Sequence, residues 1–387
     1  MNTWLWIGIV QAVFLSLLLA SKKDKKQPDY ILLGWLLVIG LHLAYYELAL
    51  RQFWRYRWIP GVIGHALAMC YGPLLYLYTL SLIRPRKVKA STFVLHFSPY
   101  ILYVLLWMGF KVWFPAWNLH ISSGLMAISA KVPFYIRSIT YLIAISAAGY
   151  ALHNLKILRV HQQNIVQTFS YDEKINLNWL RYCALSFFLI FICIFLILTL
   201  LPADTTSSSV KISGVSIVML LWVFALGYFG FRQTHIFSNI VMAKPEQSPA
   251  KPLVPKEDVT TTTRYQKSSL KAETSRQYTQ AAQQLMQQQK LYLNDELTLH
   301  QLAAQLNIPA YHLSQALNEQ LQKNFFDFVN LYRVEEVKQK MADPKFQNYT
   351  LLAIAFESGF RSKASFNRVF KRFTGMTPSE YKKSNDL

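Results

Sequence analysis

The sequence predicts an all-α protein with an N-terminal bundle of seven transmembrane helices and a C-terminal all-helical domain. Hydrophobic residues make up 53% of the 387 residues and charged residues only 16%, whereas soluble domains average about 25% charged residues. All ten tryptophans lie at or before Trp222. Residues 1–231 carry 19 Lys and Arg against 6 Asp and Glu, and residues 232–387 carry 21 against 14. The chain therefore divides into an apolar and a polar part.

Seven apolar runs in the first part are each long enough to cross a bilayer core, which requires about 20 residues per helix. The first run has no basic start, and Ser21-Lys22-Lys23 follows it where a small-residue cleavage site would lie. We therefore interpret it as an uncleaved anchor. The runs lie near residues 3–20, 30–50, 62–83, 92–114, 134–152, 182–201 and 212–231.

The distribution of Lys and Arg between the loops predicts the orientation of this bundle. Loops on one side carry twelve, beginning with Lys22 and ending with Arg181, and loops on the other side carry six. Because cytoplasmic loops are enriched in Lys and Arg, we expect the N-terminus outside and everything after Phe231 in the cytoplasm. The predicted location is the inner (cytoplasmic) membrane, crossed several times.

Polar residues inside the spans are the candidates for sensing in the membrane, namely His42, Glu47 and His65. An ionisable residue within a membrane span is a functional candidate. Glu47 and His65 fall at similar depth on consecutive helices, so one interpretation is a paired ligand or proton site. The alternative is that both lie at the wet interface or only hold helices together.

No motif in the chain indicates an enzyme. The zinc-protease, nucleophile-elbow and Walker-type patterns are missing from the sequence. Cys70, Cys183 and Cys193 lie in apolar runs without metal-ligand spacing, so we interpret them as packing residues. We expect no catalytic residues, no metal site and no cofactor.

A linker is predicted at residues 238–275, between domains at 1–237 and 276–387. It holds Pro245, Pro249, Pro252 and Pro255, followed by a threonine run at 260–263. Apolar residues show no regular spacing in this segment, which is typical of a flexible tether.

Two helix-turn-helix units are predicted in the C-terminal domain, and the first begins with Thr298 as a helix cap. Asn307 ends the first helix, and Pro309 opens the second with its φ already set. A helix-turn-helix places its second helix in the DNA major groove. The exposed groups expected on that helix are Tyr311, His312, Gln315 and Asn318.

The second unit follows about 50 residues later, with Gly359 at the turn and Phe360 filling its corner. Its second helix, about Lys363–Thr374, is expected to bury Phe366, Val369, Phe370 and Phe373. The residues expected at its DNA-facing surface are Arg361, Ser362, Lys363, Ser365, Asn367, Arg368, Lys371 and Arg372. Residues 350–383 carry seven basic against two acidic residues, so this unit should attract phosphate more strongly.

Residues from about 285 to 383 resemble the DNA-binding domain of AraC-type transcription regulators. The resemblance lies in the segments at 299–303, 312–314, 326–333, 353–360, 365–371 and 375–381. It implies two units that read successive major-groove segments with recognition helices at about Ala310–Glu319 and Ser362–Phe373. It also implies a phosphate contact for Arg368 and, for Arg333, a role either in structure or in DNA binding.

Together these features predict a membrane-embedded one-component transcription regulator. Its expected partners are double-stranded promoter DNA, the lipid bilayer and an unidentified small-molecule or membrane signal. A homodimer is compatible with this arrangement, and the sequence does not specify it. Two alternatives remain open, a passive membrane anchor and a transporter-like bundle with a regulatory tail.

Overall fold

The computed structural model describes residues 3–50, 63–64, 66–84, 87–113, 134–172, 175–200, 208–232 and 270–385. Within these ranges every regular element is a helix, and β pairing is limited to one isolated bridge between Phe169 and Thr298. The predicted all-α class is therefore confirmed for the described chain. The chain divides into two compact units, Met1–Arg159 with Leu177–Lys244 and Val160–Asn176 with Pro245–Leu387.

A helix lies over each of the seven apolar runs. These helices are α1 (Thr3–Ala20), α2 (Gln27–Leu50), α3 (Tyr71–Ile83), α4 (Ala90–Trp113), α5 (Phe134–Thr168), α6 (Asn178–Leu200) and α7 (Ser208–Arg232). Among the described residues, three helices are long and apolar enough to cross a membrane, at 3–20, 27–48 and 90–109. Shorter apolar helices cover 67–83, 178–193 and 217–230. Seven membrane spans thus stay a prediction.

The core of the first unit includes large apolar side chains of α2 and α3. Trp35, Leu43 and Leu75 are fully buried. A 3-10 turn at Leu67–Cys70 precedes α3, and Pro73 lies in the first turn of α3. Proline is tolerated there because the N–H that it lacks has no helical partner. Pro73 therefore lies near a helix start.

Helix α5 continues well past the predicted end of its apolar run at residue 152. No proline or glycine interrupts residues 153–168. Buried positions recur at helical spacing, at Asn154, Leu158, His161 and Ile165. The helix therefore changes from an apolar to an amphipathic pattern, and its last residues, from Val160, belong to the second unit.

The second unit is a helical domain with two cores that share one long helix. Its helices are α8 (Ala272–Gln289), α9 (Leu299–Gln305), α10 (Ala310–Leu321), α11 (Phe325–Ala342), α12 (Leu351–Glu357), α13 (Lys363–Thr374) and α14 (Pro378–Ser384). Phe328 of α11 packs in the core of α9 and α10, and Val337 packs in the core of α12 and α13. Helix α11 therefore joins the two helix pairs through buried apolar contacts.

Candidate nucleic-acid interface

The first helix pair, α9 and α10, has the cap and the turn that the sequence predicts. The hydroxyl of Thr298 accepts a hydrogen bond from the Gln301 N–H (3.2 Å), and the Gln301 side chain accepts one from the Thr298 N–H (2.8 Å). This reciprocal capping box satisfies two N–H groups at the helix start. Asn307 adopts φ 55° at the turn, and the Ile308 N–H donates to the Ala303 carbonyl (3.0 Å).

The second pair, α12 and α13, repeats this turn. The Thr350 hydroxyl accepts from the Ala353 N–H (3.1 Å), and the Phe360 N–H donates to the Ala355 carbonyl (3.0 Å). Gly359 adopts φ 86°, and a Cβ there would collide with the carbonyl oxygen of Tyr292. Glycine is therefore required at this turn both by its backbone conformation and by the lack of space.

The candidate residues on α10 are not equally accessible. Tyr311 is exposed, and His312 and Asn318 are half-buried. Gln315 is buried, with 4% of its surface exposed, and its Nε2 donates to Glu319 Oε1 (2.7 Å). The expectation that Gln315 is exposed is therefore wrong.

The burial of Gln315 has a physical cause in helix α8. Helix α8 packs along α10, and the ring of Tyr278 lies 6.4 Å from that of His312. Helix α8 is not part of the two-helix motif, so the motif alone does not predict this contact. The helical periodicity of α10 therefore predicts a larger exposed surface than α10 has.

Helix α13 presents a strongly basic face. Its exposed residues include Lys363, Asn367, Arg368, Lys371 and Arg372. Arg361 and the capping residue Ser362 are half-buried just before the helix. The face expected from the sequence is therefore exposed at five of its eight positions, and Ser365 is the one that is buried.

The expectation that Ser365 faces outward is wrong, because only 6% of its surface is exposed. Its N–H donates to the Ser362 hydroxyl (3.2 Å), which caps α13. Its side chain lies one turn before the buried Val369, at the edge of the apolar face of α13. Phe373, expected in the core, is only half-buried because it lies in the last turn.

Three arginines of this surface are engaged by carboxylates of the same unit. Arg361 pairs with Glu296, Arg368 with Asp172 and Arg372 with Asp327, each at 2.7 Å. Lys363 and Lys371 form no ion pair within the described part of the chain. The two lysines are therefore the cations most readily available to a phosphate group.

Arg333 supports the structure and lies away from the surface, with 2% exposed. Its guanidinium donates to the carbonyls of Tyr292 (2.8 Å), Asn294 (2.7 Å) and Ser170 (2.8 Å). A buried charge is tolerated when hydrogen bonds satisfy its donors. Of the two roles that the resemblance implies for Arg333, structure or DNA binding, the structure shows the first.

Glu336 of α11 binds the segment that precedes α9. It accepts hydrogen bonds from the Tyr292 hydroxyl (2.7 Å) and from Lys290 (3.1 Å). Burial acts to raise the pKa of Glu336, but these hydrogen bonds and the nearby lysine charges outweigh it, so the pKa lies below its ordinary value. Burial, together with the hydrogen bond to Glu336 and the negative charge of Glu336, raises the pKa of Tyr292. The carboxylate is therefore charged at neutral pH and holds both donors.

Sequence reasoning missed the residues of the 160–176 segment that contact this surface. Gln167 accepts from Ser314 and Asn318, and Asp172 pairs with Arg368. A signal was present, because Asp172 is one of only six acidic residues in the first 231. The adjacent acidic residues Asp172 and Glu173, in a part of the chain that is otherwise basic, are a cue for an internal cationic partner.

The structure places the candidate membrane residues in separate contacts of the first unit. His42 is buried, and its Nδ1 lies 2.7 Å from the Tyr71 hydroxyl. Glu47 is buried and accepts from the indole N–H of Trp6 (3.1 Å). His65 lies outside the described residues, so the predicted pair of Glu47 and His65 stays a prediction. Among the described residues, no group of His, Cys, Asp and Glu is placed to hold a metal ion.

Comparison with known proteins agrees with the geometry of the second unit. Residues 302–384 match the protein family described as a helix-turn-helix domain. The C-terminal part of the chain is therefore a helix-turn-helix domain of the AraC type, the class found in DNA-binding transcription regulators.

The chain is also similar to uncharacterized HTH-type transcriptional regulators of Staphylococcus aureus strains COL, MSSA476 and N315. It is 36% identical to each of them over 93 residues. The aligned region covers 24% of this chain and 12% of each relative. The chain thus spans only a small part of the length of these relatives. No solved structure matches the chain.

Proposed function

We propose that this protein is a membrane-embedded one-component transcription regulator that binds double-stranded promoter DNA sequence-specifically. The observation that carries the proposal is the pair of helix-turn-helix units on one domain, the second with an exposed basic helix. Such a helix enters the major groove and contacts phosphates and base edges. The sequence match to transcriptional regulators supports the same activity.

The two candidate recognition helices are suited to different parts of this task. Lys363 and Lys371 on α13 are free to neutralise phosphates, which supplies affinity without sequence information. Tyr311 and Asn318 on α10 are neutral hydrogen-bonding groups, which suit base edges. We therefore assign affinity mainly to the second unit and a share of specificity to the first.

The membrane location is supported by apolar surface that water would disfavour. In Ala90–Gly109 of α4, no residue in the most apolar window is buried. Leu95 is 68% exposed and Leu106 63% exposed. A continuous exposed apolar helix of this length marks a lipid or partner surface. The lipid bilayer is the partner that fits this exposed apolar surface.

We place the N-terminus outside, the C-terminal domain in the cytoplasm and the signal in or across the membrane. The contacts of His42 with Tyr71 and of Trp6 with Glu47 join different helices of the first unit. Polar contacts between membrane helices can have two alternative arrangements, which is what a sensor requires. The signal is a small molecule or a property of the bilayer, and a homodimer would pair two DNA-binding domains.

The DNA-binding proposal is tested with the full-length protein in lipid nanodiscs. A random pool of duplexes is selected, and the affinity of an enriched duplex is measured at rising salt. We expect enrichment of a defined sequence and a steep loss of affinity with salt, because phosphate contacts release counterions. A double charge reversal, Lys363→Glu with Lys371→Glu, should abolish binding. The matched reversal of Lys338 and Lys345, outside α13, should retain it; enrichment of no sequence would contradict the proposal.

Sensing and anchoring are separated by changing the buried polar contacts alone. His42→Phe and Glu47→Gln are introduced into the chromosomal gene, and transcripts are compared under several growth conditions. If the first unit is a sensor, these variants should no longer change transcription from one growth condition to another. The control is Leu41→Phe, which changes an exposed position of the same helix. Unaltered regulation in every condition would reduce the first unit to a passive anchor.

A further inference from the structure

One short segment of the second unit contacts both helix-turn-helix units. We call residues 165–172, the end of α5 and the four residues after it, the docking segment. Its centre is Ser170, whose N–H and hydroxyl both donate to the Leu297 carbonyl (3.2 and 2.7 Å). The Ser170 carbonyl accepts from Arg333 (2.8 Å) and Asn330 (3.0 Å) of α11. These buried bonds hold the segment on the DNA-binding domain.

Before Ser170, the docking segment reaches the first recognition helix. The side-chain oxygen of Gln167 accepts from the Ser314 hydroxyl (3.2 Å) and from the Asn318 amide (3.0 Å). Both donors belong to the accessible side of α10, and Asn318 is a candidate for base contact. One amide oxygen thus takes up two of the donors that α10 offers.

After Ser170, the segment reaches the second recognition helix. Arg368 donates from Nη2 to both carboxylate oxygens of Asp172 (2.7 and 2.8 Å). The guanidinium of Arg361 lies 5.2 Å from the centre of the Tyr171 ring, within cation–π range. Two candidate phosphate contacts of the second unit are therefore held by neighbouring residues of the segment.

These contacts use the chemistry that DNA would use. A carboxylate and a phosphate both accept charge-assisted hydrogen bonds from arginine, and an amide oxygen accepts as a base edge does. Arg368 and Asn318 cannot serve the segment and a duplex at the same time. The carboxylate of Asp172 would also lie close to the phosphates and repel them.

We propose that the docking segment is an intramolecular inhibitor, so that promoter DNA binds only when Gln167 and Asp172 leave the recognition helices. This inference rests on the proposed DNA-binding function. The segment continues helix α5, whose earlier part belongs to the first unit. A movement of α5 is therefore a direct mechanical route by which a membrane signal frees the DNA-binding surface.

The first test compares docking-segment variants of the full-length protein in nanodiscs, using the duplex that the wild-type protein selects. Gln167→Ala and Asp172→Asn together should tighten binding about 3- to 10-fold, because the apparent affinity rises as the competent fraction rises. Glu335→Gln, which removes an exposed charge of α11, is the matched control and should change little. Gln167→Ala alone removes no charge, so its gain cannot come from reduced repulsion.

The second test locks the segment in place. Phe169 and Thr298 are paired across the isolated bridge, where facing Cβ atoms lie about 5 Å apart. In a Cys193→Ser background, Phe169→Cys with Thr298→Cys should form a disulfide on mild oxidation and lose DNA binding. Reduction of the same sample should restore binding, which excludes a general folding defect.

The outcomes distinguish this inference from the proposed function. Absence of the disulfide under oxidation, or equal affinity of oxidised and reduced protein, would overturn the inhibitor role while leaving DNA binding intact. Weaker binding of the Gln167 and Asp172 variants would overturn it too. If the wild-type, reduced and docking-segment variants all select no duplex, the DNA-binding function itself fails.

Discussion

The two helix-turn-helix units share one local architecture and differ in surface. Each begins at a capping threonine, Thr298 or Thr350, and each closes its turn with the same backbone hydrogen bond. Helix α10 carries no lysine or arginine, whereas α13 carries four. Helix α8 covers part of α10 and buries Gln315. Caps and apolar positions thus specify the motif, and the remaining positions set what each copy can bind.

The largest expected effect concerns the turns. Gly359→Ala should destabilise the domain by about 2–4 kcal/mol, because the new Cβ meets the Tyr292 carbonyl in a left-handed backbone. Asn307→Ala in the first turn should cost only about 1 kcal/mol, since asparagine already bears a side chain at φ 55°. Hydrogen exchange of amides in α9–α14 measures both. Equal losses would show that the turns are equivalent.

A smaller effect is expected on DNA affinity. Lys371→Ala should weaken binding to all sequences about 3- to 10-fold and reduce the salt slope by about one, as for loss of one phosphate contact. Tyr311→Phe in the first unit should instead change the relative affinity for different duplexes. Titrations of several duplexes at three salt concentrations distinguish the two. Lys345→Ala serves as the control, and a changed preference with Lys371→Ala would reverse the assignment.

The smallest effect concerns the caps. Thr298→Ala should cost about 1 kcal/mol, because it removes the hydroxyl that accepts from the Gln301 N–H and leaves the capping box with only its reciprocal bond. Thr350→Ala should cost less, about 0.5 kcal/mol, because the hydroxyl of Thr350 accepts from the Ala353 N–H without forming a capping box. Thermal unfolding of the full chain measures the difference. Serine at each position keeps the hydroxyl and should restore most of the stability.

Much of the C-terminal domain could be predicted from the sequence because its signals are local. The Thr298 cap, the turn at Asn307 and the positive φ of Gly359 each depend on residues close in the chain. The exposed basic residues of α13 follow from helical periodicity alone. The end of α5 was not predicted, because the apolar run stops near residue 152 while the helix continues to Thr168 with an amphipathic pattern.

The errors at Gln315 and Ser365 have a different origin. Gln315 is buried where helix α8 packs along α10, and Ser365 lies at the edge of the apolar face of α13, one turn from the buried Val369. Helical periodicity identifies the side of a helix but not the neighbours that cover it. Burial therefore needs the tertiary packing, even where the element itself is predicted correctly.

By itself, the sequence determined the all-helical class, the apolar and polar division of the chain, and the positions of both helix-turn-helix units. These depend on composition, periodicity and turn residues, which act over a few neighbours. Only the tertiary structure decided that Gln167 and Asp172 lie on Asn318 and Arg368, more than a hundred residues away in the chain. Such contacts arise from how whole helices pack, and no local pattern encodes which distant donor an acceptor will meet.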